Sequence, residues 1–123
     1  MSPTSREPAL SPAETAHELA RLLIAIEQGL RTIDRWEGMP PEPERLASEV
    51  PFCHDTLEFT QWLQWIFVPR FRALIEGGGE LPSACAIAPA AELAFADVEV
   101  DVAHLLSLIE RFDRVLTTRR LPA

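Results

Sequence analysis

Apolar residues in this chain return every three or four positions, and nowhere do they alternate every second position over a sustained run. That is the period of an α-helix, and it denies the chain a sheet with one dry and one wet face. Ala16, Leu19, Leu22, Leu23, Ile26, Leu30 and Ile33 form one stripe, and Val102, Leu105, Leu106, Ile109, Phe112 and Leu116 form another. An all-α fold is expected. The 123 residues, 47% hydrophobic and 24% charged, suffice for one core and leave little room for a second.

Local signals divide the chain. Residues 1–10 read as a disordered tail, residues 11–118 as one helical domain, and residues 119–123 as a frayed C-terminus. Ser11-Pro12-Ala13-Glu14 combines a cap, a first-turn proline and a capping box, so a helix is predicted from Pro12 to Trp36. Gly38 and the prolines at 40, 41 and 43 forbid its continuation and open a long connection to His54, with a short helical turn between Glu44 and Val50. Asp55, followed three residues later by Glu58, offers the next cap.

The segment from Phe59 to Glu76 carries an internal conflict. Phe59, Trp62, Leu63 and Ile66 share one face, whereas Phe71, Leu74 and Ile75 lie roughly a third of a turn away on a straight helix. A kink at Pro69, or a restart with Pro69 in the first turn, is therefore expected. Gly77-Gly78-Gly79 ends the element, Pro89 to Phe95 forms a short third helix, and the last helix starts between Asp97 and Asp101. Ion pairs Glu27–Arg31 and Glu110–Arg114 suit their helix surfaces. Four main helices result, in a four-helix bundle that is either up-and-down or orthogonal, with the second main helix kinked at Pro69.

Charge narrows the function. The formal net charge is −8, and all eleven basic residues are arginine. Such a surface repels phosphate backbones and anionic membranes, so direct nucleic-acid or membrane binding is not expected, whereas a basic protein is attracted. Without lysine, neither Schiff-base chemistry nor a phosphate loop is available. The first ten residues lack the apolar core of a signal peptide, and no apolar run nears the length of a bilayer span, so a cytoplasmic location is expected.

Candidate chemistry is sparse. Cys53-His54-Asp55 is the one cluster of potential ligands or catalytic groups, and Cys85 and His104 could join it only through tertiary placement. Zinc needs about four converging ligands, and neighbouring side chains point apart, so buried-thiol and capping roles explain the cluster better. A Cys–His–Asp catalytic set would need an oriented base and an oxyanion hole, neither of which is visible. His17 and His104 fall on polar faces. No catalytic residue, metal or cofactor is implied, and the chain reads as a non-enzyme. Trp62 and Trp65 with Phe59, Phe67 and Arg70 are either a core aromatic cluster or a partner-binding face, since Trp, Phe and Arg dominate interface energetics. Arg70 falls within the apolar stripe of the segment before Pro69, where a guanidinium needs a partner or marks an opening to a ligand.

The pattern Pro51-Phe52 … Asp55-Thr56, Trp62-Leu63-Gln64-Trp65-Ile66 … Pro69-Arg70, then Leu81-Pro82 and Ala86 … Ala88-Pro89, resembles the YqcC-like family of small bacterial proteins of unknown function. Cys53 departs from the apolar residue expected at its position. The resemblance implies an all-α bundle without established catalytic residues. It also implies an accessory or adaptor role in tRNA modification, because the family is often encoded beside a tRNA pseudouridine synthase of the TruC type. A partner- or ligand-binding face is expected at Phe52, Asp55, Trp62, Trp65, Pro69 and Arg70. The alternatives are a small-molecule pocket lined by Phe52, Trp62, Trp65 and Arg70, and a homodimer through the same aromatic helix.

Overall fold

The computed structural model describes residues 11–78, 80–82, 86–96, 98 and 100–118. The first helix, α1, spans Pro12–Thr32 and opens with the expected capping box. The Ser11 hydroxyl accepts from the Glu14 amide at 3.2 Å and the Glu14 carboxylate from the Ser11 amide at 2.9 Å. The helix stops short of Trp36 because Asp34 adopts the left-handed conformation, φ 61°. The Asp34 amide then donates to the Arg31 carbonyl at 3.0 Å and the Arg35 amide to the Leu30 carbonyl at 2.8 Å, a Schellman closure. Aspartate is one of the few non-glycine residues that visit this conformation routinely. The chain folds back, and the Arg31 guanidinium lies over the Trp36 ring, 4.9 Å from its centroid.

A four-residue turn, α2 (Pro43–Leu46), and a 3₁₀ turn (Pro51–Cys53) punctuate the proline-rich connection. The central helical rod follows in three parts: α3 (Phe59–Trp62), a π turn (Leu63–Phe67) and α4 (Val68–Glu76). The irregularity expected at Pro69 is present, and Pro69 does sit in the first turn of α4. The conflict is resolved by widening the helix, with right-handed helical angles retained at Leu63, Phe67 and Val68. The Val68 amide donates to the Leu63 carbonyl five residues back. One extra residue in a turn displaces everything beyond it by about 100°, which brings Phe71 and Ile75 round to the side of Leu63. It also relaxes the tight turn into which the Pro69 ring would otherwise intrude. The α4 segment ends at Gly77, followed by a left-handed Gly78, φ 66°.

Helix α5 (Ile87–Ala94) begins two residues before the expected Pro89. Its preceding residue, Ala86, offers no side-chain acceptor; Asp113 of α6 instead accepts from the Ala88 amide at 2.7 Å. Helix α6 (Ala103–Thr118) starts later than expected, where Asp101 accepts from the Ala103 amide at 3.0 Å. The tail at 1–10, the residues from 119 on, Cys85, Gly79 and Asp97 lie outside the described residues.

The result is a helical bundle. Helix α1 packs against α6 and α4, and α5 packs against α6. Leu19, Leu23, Ile26 and Leu30 meet Leu63, Phe67, Leu105, Ile109 and Phe112, all essentially without solvent contact. Phe67, Phe71 and Phe112 form a ring cluster with centroids 4.9 to 5.1 Å apart. Close approach of α1 to α6 depends on Gly29, where an added Cβ would stand 3.1 Å from Leu105 Cδ1. The Glu27–Arg31 pair forms at 3.0 Å. No ion pair joins Glu110 to Arg114 among the described residues; Arg111 reaches Glu18 at 2.9 Å and ties α6 to α1. No described helix is long and apolar enough to cross a membrane.

Candidate functional site

Residues 43–58 form a braced loop. The Thr56 hydroxyl donates to the Arg45 carbonyl at 2.6 Å while the Arg45 guanidinium returns to the Thr56 carbonyl, with Nε at 2.8 Å. The Ser48 hydroxyl donates to the Asp55 carboxylate at 2.6 Å and accepts from the Val50 amide at 3.1 Å. Asp55 is therefore a loop brace, and the cap of α3 is Glu58, whose amide donates to Gln61 Oε1 at 2.8 Å. Cys53 is buried with Sγ 3.9 Å from the Leu46 and Ser48 carbonyl oxygens, whereas His54 is exposed. Cys53, His54 and Asp55 thus diverge, and no group of three or more metal-ligating side chains exists among the described residues.

Phe52 and Cys53 both sit in the left-handed region, at φ 60° and 49°. Such a conformation costs roughly 1–3 kcal/mol per non-glycine residue and persists only where the surroundings enforce it. The enforcement is aromatic. The Phe52 ring meets the edge of Trp62 at 4.8 Å, and Trp62 stacks between Phe59 at 5.7 Å and Phe67 at 5.5 Å. Phe59 continues the cluster to Phe95, 5.7 Å away and nearly perpendicular. Trp62 is accordingly a packed core residue that holds Phe52 in place.

A second clamp gathers on Glu37. Gln64, 4% exposed, accepts from the Glu37 amide at 2.8 Å and donates to the Glu37 carbonyl at 2.7 Å. The Glu37 carboxylate accepts from the Trp65 indole at 3.1 Å and from Gln61 at 3.1 Å. The Trp-Leu-Gln-Trp motif therefore divides its labour. Trp62 and Leu63 fill the core, Gln64 anchors the chain leaving α1, and Trp65 fixes the Glu37 side chain.

Two grooves open on the surface. One, about 590 Å³, runs along the outside of the rod and is lined by Trp65, Ile66, Pro69, Arg70 and Leu74. Arg70 is exposed there and has no hydrogen bond or ion pair among the described residues. Its expected place within the apolar stripe is not the observed one, because the π turn swings it about 100° away. The other groove, about 720 Å³, lies between the braced loop and α5. Phe52, Leu57 and Phe59 face Ala90, Leu93 and Phe95 across it. Of the six expected site residues, Trp65, Pro69 and Arg70 share the first groove, Phe52 lines the second, and Trp62 and Asp55 support Phe52 from behind. Phe52 and Arg70 do not share a pocket.

Sequence reasoning missed Leu93, which is 81% exposed on the second groove. A signal was available: Leu93 falls about 160° from the Ile87–Ala88–Ala91 stripe that α5 buries, on the face where a large apolar residue is out of place. Glu37 and Gln64 left no such signal.

Comparison with known proteins places the chain. The family model DUF446, described as tRNA pseudouridine synthase C, matches residues 18–115. Uncharacterized protein YqcC of Escherichia coli is 38% identical over 100 residues, which are 80% of this chain and 92% of that protein. An uncharacterized protein of Haemophilus influenzae is 42% identical over 76 residues, 62% of this chain and 68% of its own length. A tRNA pseudouridine synthase C of Pectobacterium carotovorum is 39% identical over 66 residues, 54% of this chain but 18% of the synthase. The solution NMR structure of E. coli YqcC is similar with a TM-score of 0.77 and 33% identity, covering 89% of this chain and 94% of that one. The chain belongs to the YqcC-like family.

Proposed function

We propose that this chain is a non-catalytic accessory domain that docks on a tRNA pseudouridine synthase. The observation that carries this reading is the 66-residue likeness to a protein named tRNA pseudouridine synthase C, of which the matching segment is 18%. A segment like this one is thus a minor part of a longer, synthase-named chain. Covalent attachment gives a neighbour an effective concentration in the millimolar range, on the order of 1 mM for a short flexible linker. A separate chain in the same role must supply that association through its own surface. The groove of Trp65, Pro69 and Arg70 is the docking face in this reading, and Trp62, Asp55 and Phe52 support it through the aromatic cluster and the braced loop. Arg70 brings a cation without a partner among the described residues, suited to a carboxylate on the enzyme. The net charge of −8 speeds encounter with a basic RNA-binding enzyme and opposes independent binding of RNA. The work would take place in the cytoplasm.

The test is calorimetric titration of the purified chain into the synthase at low salt. Micromolar binding is expected, weakened about tenfold by Arg70→Ala with an unchanged circular dichroism spectrum. Absence of binding at about 100 μM would refute the reading.

A further inference from the structure

We infer that the groove between the braced loop and α5 receives a basic amphipathic helix from a partner protein. The inference goes beyond the reading above, because this face is separate from the Trp65–Arg70 groove and either can fail alone.

Shape is the first argument. The groove has two apolar walls, Phe52, Leu57 and Phe59 on one side and Leu93 and Phe95 on the other. Its wall α5 is eight residues long, so about 12 Å of helix can lie along it, enough for anchors spaced i, i+3, i+4 and i+7. Leu93, 81% exposed, and Val50, 41% exposed, stand on its lining. A small ligand within the groove would leave Leu93 wet, whereas a helix laid over it covers both side chains. The walls are also preformed. Ala88 and Ala91 bury α5 in the core, the Arg45–Thr56 and Ser48–Asp55 bonds brace the loop, and Phe52 is held in its left-handed conformation by Trp62. Preformed walls lower the ordering cost of association.

Charge then selects the occupant. Between residues 73 and 110 the sequence has seven carboxylates and no arginine, so nearly the whole excess of −8 belongs to the stretch that contains α5. Val98 in the groove lining is flanked in sequence by Asp97 and Glu99. Glu49 and Glu58 are exposed on the loop side. Among the lining residues Arg35 is the one fixed cation, beside Glu58 and a histidine, His54. A helix with an apolar stripe and arginine or lysine on its flanks complements this surface, and an acidic helix is repelled.

The experiment is an amide chemical-shift titration of the labelled chain with three synthetic 14-residue peptides. One is an amphipathic Leu/Arg helix, one a Leu/Glu helix of the same pattern, and one a scrambled Leu/Arg sequence without a stripe. Saturable micromolar binding of the first is expected, with shifts confined to residues 50–59 and 90–98, and at least tenfold weaker binding of the other two. Leu93→Asn should weaken the first peptide about tenfold, while Ile24→Asn, at another exposed leucine-like position on α1, leaves it unchanged. No saturable binding, equal binding of all three, or shifts centred on Trp65–Arg70 would overturn the inference. Concentration-dependent shifts of the same residues without peptide would make the occupant a second copy and overturn it as well. So would tight binding of an uncharged apolar dye that Leu93→Asn does not disturb.

Discussion

Gln64 allows the sharpest test of how the motif holds the bundle. Its amide group makes two bonds to one backbone unit, accepting from the Glu37 amide at 2.8 Å and donating to the Glu37 carbonyl at 2.7 Å. At 4% exposure, water reaches Gln64 poorly. Gln64→Leu keeps the volume and removes both bonds. Each net hydrogen bond is worth about 1 kcal/mol, and stranding a partly buried amide and carbonyl adds to the loss, so a destabilisation of about 2–3 kcal/mol is expected. Extra apolar burial by leucine offsets part of this, leaving a net of about 2 kcal/mol and a fall in melting temperature of about 8 °C for a chain of this size. Urea unfolding followed by circular dichroism measures the free energy, and the slope should stay constant because the surface exposed on unfolding is the same. Trp65→Phe is the companion variant. It removes only the 3.1 Å indole bond to the half-buried Glu37 carboxylate and should cost about 1–1.5 kcal/mol. A Gln64→Leu loss below about 0.5 kcal/mol would show that the clamp is incidental and that the leucines around it already fix the chain leaving α1.

Three further substitutions probe the packing. Gly29→Val should destabilise by about 1–3 kcal/mol in chemical denaturation, because even a Cβ there approaches Leu105 to 3.1 Å. Thr15→Val should stabilise by about 1 kcal/mol in the same assay, since Thr15 is fully buried and its hydroxyl has no partner among the described residues. Asp113→Ala removes the acceptor at the Ala88 amide and should cost about 1–2 kcal/mol, with hydrogen exchange rising first in α5.

The helical stripes were legible because burial on one side of a helix imposes its period on the sequence, as the match of Leu19 to Leu30 and Leu105 to Leu116 shows. So was the trouble near Pro69, as a phase mismatch between two apolar faces. Its remedy was not legible, since a widened turn is a choice among backbone hydrogen bonds, and a wheel drawn at constant pitch then put Arg70 on the wrong side. Local signals also competed. Asp55 and Glu58 could each cap α3, and Asp55 was taken by Ser48; Arg114 was available to Glu110, yet the nearest productive pair was Arg111 with Glu18 on another helix. Contacts such as Gln64 with Glu37, 27 residues apart, depend on tertiary placement and leave no periodic trace. For the candidate site, residue type located the aromatic and arginine positions, but not their division between two grooves.

The π turn has a consequence for how this chain can change length. Removing one residue elsewhere in Phe59–Glu76 would rotate the far end of the rod by about 100° and carry Phe71 out of its place against Phe112. Removing one from Leu63–Phe67 would exchange the wide turn for an ordinary one and leave both ends facing as they do now. A gap among relatives is therefore structurally silent at that turn and disruptive on either side of it, and Pro69, met then by a regular helix, would become the point where the rod bends.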